Sequence, residues 1–168
     1  MKLKLGITKK GAIISLLVVI VGVLGDLLTK LAVVTNMEIG QSVPLIKDVL
    51  HLTYITNKGA AFGSFSEHRW VFMVASALLI VGLVVLILLW DKANVLFYVS
   101  TSLVLAGGIG NMIDRIAYGY VVDFIDFCAF PSLWKWIFNG ADSFVCVGSG
   151  LLILWYIIEE VKNAKKKK

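Results

Sequence analysis

Four long apolar runs decide what this chain can fold into. Residues 70–90 and 95–113 carry no charged side chain, 11–34 is broken only by Asp26 and Lys30, and 142–158 is uncharged after Asp142. A helix needs roughly 20 mostly apolar residues to cross about 30 Å of hydrocarbon, so these runs read as membrane spans. The fourth is the shortest and needs its polar flanks to reach the interfaces. With 59% hydrophobic residues, the chain exceeds the about 45–50% of soluble domains, and the excess sits in the runs. Lysines precede the first run as in a signal peptide. The apolar stretch nevertheless outlasts an h-region and no A-x-A-like site follows, so it is read as a retained span. The expected architecture is a single polytopic membrane domain, all-α with a small β element.

Charge placement sets the expected orientation. Of sixteen basic residues, nine lie at the two ends: Lys2, Lys4, Lys9 and Lys10 before the first span, and Lys162, Lys165, Lys166, Lys167 and Lys168 after the fourth. The positive-inside rule puts both termini in the cytoplasm. The Asp91–Asn94 turn is then also inside, and the loops Thr35–Arg69 and Ala117–Asn139 are outside. Those loops hold no excess of basic charge. The net charge of +5 therefore reads as a lysine tail on anionic lipid headgroups, not as a nucleic-acid surface. In the first loop Leu50, Leu52 and Tyr54 alternate with His51 and Thr53, a strand with one buried face. Asn57-Lys58-Gly59 reads as a turn, and Ala60–Phe65 as a segment at the membrane surface. The second loop is rich in aromatic residues from Tyr118 to Phe138, which favour the interface. Together they suggest a small, partly β platform on the outer leaflet. Cys128 and Cys146 read as small packing residues and not as a disulfide, and no Cys/His spacing resembles a zinc site.

Polar residues converge at one depth. Asp26 and Lys30 lie toward the outer end of span one, and Asn111, Asp114 and Arg115 at that of span three. Asp123 follows shortly, and Asn139 and Asp142 open span four. Charges near lipid are functional candidates by default. Each has a plainer reading. Asp26 and Lys30, at i and i+4, can pair on one face. Asp114 can neutralise a charge or cap a helix end. Asp142 can favour a helix N-terminus, and Gly107, Gly108 and Gly110 allow close helix packing. Asp123, between Val122 and Phe124, is costly unless paired. Two acids at one depth suggest an aspartyl dyad sharing one proton. The ionised member activates water and the protonated one polarises a peptide carbonyl; no metal, cofactor or covalent nucleophile is needed. Glu67-His68 lacks the second histidine of H-E-x-x-H, and G-x-S-x-G is absent. Ser143 and Ser149 have no base in their span. His51 and His68 read as surface residues. A transporter-like protein would line a path through the bilayer, and a protease cutting within spans would hold its aspartates deeper.

Four blocks carry a family resemblance: Asp26-Leu27-Leu28-Thr29-Lys30; Asn57-Lys58-Gly59-Ala60-Ala61-Phe62; Gly110-Asn111-Met112-Ile113-Asp114-Arg115 with Val121-Val122-Asp123-Phe124; and Phe138-Asn139-Gly140-Ala141-Asp142-Ser143. In this order they resemble the lipoprotein (type II) signal peptidases, aspartyl proteases of bacterial membranes. The resemblance implies Asp123 and Asp142 as the catalytic dyad. Asn57, Asn111, Arg115 and Asn139 would hold the substrate backbone or orient the dyad, with Asp26, Lys30 and Asp114 supporting. The implied substrate is a prolipoprotein whose lipobox cysteine already carries diacylglycerol, cut just before that cysteine. The implied fold is a four-helix bundle with a small periplasmic β-cradle and a short periplasmic helix. The implied setting is the bacterial inner membrane, with the site near the outer leaflet, and the chain is read as a monomer. Leu27 stands where the family usually has Gln, and Gly140 where it has a larger apolar residue. The 125–137 segment has no match, and a lid over the dyad is compatible with a site that both water and a lipid-anchored peptide must reach. Asp114 is read as structural, kept ionised by Arg115.

Overall fold

The computed structural model describes residues 5–59, 69–91, 93–132 and 134–166. Among them lie four α-helices and a four-stranded sheet in the order α1 (Lys9–Asn36), β1 (Ser42–Ile46), β2 (Leu50–Asn57), α2 (Arg69–Leu89), α3 (Val95–Ala117), β3 (Val121–Phe127), β4 (Ile137–Phe138), α4 (Gly140–Lys166). All four helices are long and apolar enough to cross a membrane.

Polar caps set where helices begin. The Thr8 hydroxyl accepts the Gly11 N–H at 3.0 Å, and Asn94 Oδ1 accepts the Phe97 N–H at 3.1 Å, each satisfying a donor the helix cannot. Helices α1, α3 and α4 outrun their apolar windows, most of all α4, which continues to Lys166. Hydropathy marks only what sits in hydrocarbon, while backbone hydrogen bonding runs on through polar residues until a cap or turn stops it.

Helix α3 packs against α1, α2 and α4 and forms the centre of the bundle. Two glycines allow its close approach. A side chain at Gly107 would run into the Ala141 carbonyl, and one at Gly110 would occupy the space of the Asp26 carboxylate. Helix α2 leans on α3 and leaves Leu78 and Val81 bare, a surface suited to lipid.

The sheet follows α1 and α3 and precedes α2 and α4, so it caps the bundle end opposite both termini. Its strands run antiparallel in the order β1-β2-β3-β4. The strand expected over 50–54 is present and reaches Asn57, because a register shift between Leu52 and Ile55 keeps it paired with β3. Val33, Tyr54, Val122 and Phe124 form a buried cluster that ties the end of α1 to the sheet. Leu52 packs against this cluster, but the expected alternation is not found: His51 and Thr53 are as half-buried as Leu50 and Leu52, and only Tyr54 is buried. Strand β1 has no buried residue; it is an edge strand carrying Pro44, where a missing N–H is tolerated.

Within 117–139 the described residues form β3, a turn and β4. A helix outside the four spans is not found among the described residues. The Ala60–Phe65 surface segment and His68 lie outside them. Cys128 and Cys146 are both free thiols.

Candidate active site

Asp123 projects from β3 and Asp142 from the first turn of α4, and three asparagines join them. Asn57 Nδ2 donates to Asp123 Oδ2 at 2.9 Å, and Asn139 Nδ2 to Asp123 Oδ1 at 2.7 Å. Asn111 Nδ2 donates to Asp142 Oδ1 at 2.7 Å. Each amide could in principle present its oxygen instead, but its oxygen is already held by a group that can only donate. Asn57 Oδ1 accepts the Gly59 N–H at 3.0 Å. Asn111 Oδ1 accepts from the Lys30 ammonium at 3.2 Å. Asn139 Oδ1 accepts the Asp142 N–H at 2.9 Å. With the oxygens pinned, all three amides aim N–H groups at the carboxylates. The expected turn at Asn57-Lys58-Gly59 is thus what orients Asn57.

Asn139 links the two acids. It is fully buried, and its Nδ2 also lies 3.1 Å from Asn111 Oδ1 and 3.3 Å from the Val122 carbonyl. It is the N-cap of α4, and Asp142 Oδ2 reaches back to the Asn139 N–H at 3.3 Å. This is a reciprocal capping box with Asp at its third position. The reading of Asp142 as a helix-terminal charge therefore holds together with its place beside Asp123.

A second set of residues holds the frame. Lys30, 3% exposed, pairs with Asp26 at 2.8 Å and with Asp114 at 2.9 Å. Asp26 Oδ1 accepts the Ala141 N–H at 2.8 Å, and Asp114 Oδ2 the Val122 N–H at 3.1 Å. Each carboxylate thus fastens the residue just before one of the two acids: Ala141 before Asp142, Val122 before Asp123. Lys30 ties the two fastenings together. Gly110 leaves the room that Asp26 needs to reach α4.

The cation at ion-pair distance from Asp114 is Lys30, while the neighbouring Arg115 acts on it only through space. One residue further along α3 the side chain points about 100° around the helix. There Arg115 Nη1 donates to the Asn111 carbonyl at 3.2 Å and Nη2 to the Gly59 carbonyl at 3.5 Å. The expected Asp26–Lys30 pair is present. Sequence reasoning missed the Ala141 and Val122 N–H groups and the Gly59 carbonyl, because backbone groups leave no mark in residue identity.

Burial pushes the Asp123 carboxyl up to about 6, and the nearby Asp142 charge adds to the rise; the Asn57 and Asn139 donors and Lys30 oppose it. Asp123 is 1% exposed while Asp142 is half-buried. Asp142 is thus the more accessible of the two carboxyls. The donor set around both acids is amide N–H rather than His or Cys, which suits proton transfer between carboxyls more than capture of an ion.

A sequence profile described as signal peptidase (SPase) II matches residues 18–158. The chain is 44% identical over 151 residues to a lipoprotein signal peptidase of Halalkalibacterium halodurans, covering 90% of this chain and 96% of that one. It is 40% identical over 139 residues to that of Halothermothrix orenii, covering 83% and 92%. Among solved structures, a bacterial membrane enzyme determined by the in meso method at 2.3 Å resolution superposes with a TM-score of 0.77 at 36% identity, covering 92% of this chain and 91% of the other. The profile spans every segment that builds the paired carboxylates, the relatives and the fold agree over most of the chain, and the chain belongs to the signal peptidase II family of membrane peptidases.

Proposed function

We propose that this chain is an aspartic endopeptidase that removes signal peptides from diacylglyceryl-modified prolipoproteins, cutting just before the lipidated cysteine. The observation that carries the reading is the trio of pinned asparagines aiming donors at two carboxylates from separate elements. Such a cage holds two acids close while one proton is shared between them. Asp123, the more buried member with its carboxyl raised to about 6, carries that proton and donates it to the scissile carbonyl oxygen. Asp142 takes a proton from the attacking water, whose oxygen bonds to the carbonyl carbon. As the tetrahedral species collapses, the proton on Asp142 passes to the leaving amine of the cysteine, and Asp123 recovers its own from the new carboxyl. Arg115, anchored on the Gly59 carbonyl, offers its remaining N–H groups to the substrate backbone.

The charge pattern supports an inner-membrane orientation with both termini in the cytoplasm and the sheet end at the outer leaflet. There a lipid-anchored cysteine sits at headgroup depth, level with the carboxylates. The testing experiment is a gel-shift assay of a purified diacylglyceryl prolipoprotein with wild type, Asp123→Asn and Asp142→Asn. Cleavage is expected from wild type alone. Cleavage by either variant would remove the dyad assignment, and an inert, well-folded wild type would remove the activity.

A further inference from the structure

The sheet brings together a second group of side chains that the peptidase reading does not use. His51 on β2 stands directly opposite Asp126 on β3, and Cys128 follows two residues later. A ring nitrogen of His51, a carboxylate oxygen of Asp126 and the Cys128 sulfur all lie within 4.8 Å of one another, at half-buried positions. The β2 register shift places its extra residue opposite Phe124 without disturbing β3. Strand alternation therefore turns Asp126, three residues beyond Asp123, to the other face of the sheet, away from the dyad.

We propose that His51, Asp126 and Cys128 bind a borderline divalent cation of the Zn2+ class, with a fourth position open to water. One imidazole, one carboxylate and one thiolate are ligand types that Zn2+ takes at about 2.0–2.3 Å. A tetrahedral set at those lengths has ligand atoms roughly 3–4 Å apart, within a small side-chain adjustment of the arrangement seen. The outer contacts suit ligation. Ser42 Oγ lies 3.4 Å from His51 Nδ1, which leaves Nε2 for the ion. The Thr53 hydroxyl donates to Asp126 Oδ2 at 2.7 Å, and the Ser42 and Thr53 hydroxyls meet at 2.8 Å. Hydroxyl partners of this kind fix the orientation of metal ligands. On binding, the Cys128 thiol proton leaves to solvent and the sulfur coordinates as thiolate. A bound ion cross-links β2 to β3, the strands that present Asn57 and Asp123. Sequence spacing hid the group, because His51 and Cys128 meet only through strand pairing.

The test is a Co2+ titration of the purified, reduced, metal-free full chain in detergent micelles. Expected are a thiolate-to-Co2+ charge-transfer band saturating at one ion per chain, displacement by Zn2+, and an unchanged band in Asp123→Asn and Cys146→Ser. Cys128→Ser should abolish the band. His51→Ala should weaken Co2+ binding by about 10-fold or more, and Thr53→Val by about 10–100-fold, with circular dichroism unchanged in all three. Absence of the band in wild type, its survival in Cys128→Ser or its loss in Asp123→Asn would overturn the assignment.

Discussion

Replacing Lys30 by Met tests whether the buried cation organises the peptidase centre. In the wild type one ammonium, 3% exposed, faces Asp26 at 2.8 Å and Asp114 at 2.9 Å, and both carboxylates are about as buried as it is. Methionine fills similar volume but leaves two acids without a counter-ion. Breaking one buried pair by removing a partner costs about 3–5 kcal/mol. At about 1.4 kcal/mol per tenfold, that is roughly two to three and a half orders of magnitude in the folding equilibrium, and two stranded carboxylates place Lys30→Met at the upper end. Neutralising one acid should recover part of the loss. Lys30→Met combined with Asp114→Asn is therefore expected to be more stable than Lys30→Met alone, a coupling that a double-mutant cycle isolates. The assay is denaturant titration in micelles, with prolipoprotein cleavage followed in parallel. Cleavage should stay low in the double variant even where folding recovers, because Asn111 has lost the donor that pins its oxygen. A Lys30→Met protein as stable as wild type, or a double variant no better than the single, would refute the reasoning.

Other predictions concern the dyad and its frame. With the Asp123 carboxyl raised from 3.8 to about 6, the folded state holds a proton that the unfolded state has lost across that window. The contribution to stability is therefore full below pH about 4 and lost as pH rises through about 6; Asp123→Asn should remove this slope in pH-dependent unfolding. The proposed mechanism uses the same proton, so kcat/KM should fall above pH about 6. Asn57 lowers the Asp123 pKa, so Asn57→Ala should move that descending limb to higher pH, as a pH–rate profile would show. Asn139→Ala removes an N-cap worth about 0.5–2 kcal/mol together with the shared donor, so turnover should fall far more than stability. Gly107→Val drives a side chain into the Ala141 carbonyl at about 1–3 kcal/mol of overpacking, which should show as a lower melting temperature in micelles.

Much of the centre was legible because lipid makes polar residues conspicuous. Asp26, Lys30, Asn111, Asp114 and Asp142 interrupt or end runs that would otherwise be apolar, and Asp123 stands between two large apolar neighbours. Tyr54 is buried, but the alternation read around it is absent, because the β2 register shift breaks the period-two pattern. What stayed hidden depended on tertiary placement. Strand β1 has no buried side and so no hydrophobic period to read. The choice of Lys30 over Arg115 as the partner of Asp114 turns on which way one residue faces around α3. The extra residue in β2 that lets both His51 and Asn57 pair with β3 leaves no compositional trace.

The Asp26–Ala141 hydrogen bond spans 115 residues. A chain emerging from the ribosome inserts its first helix long before its last, and until that last helix arrives Asp142 has no frame and Asp123 lacks its Asn139 donor. The paired carboxylates are therefore framed only after α4 has been made. On the proposed reading, a nascent copy that still lacks α4 would leave the signal sequences around it uncut.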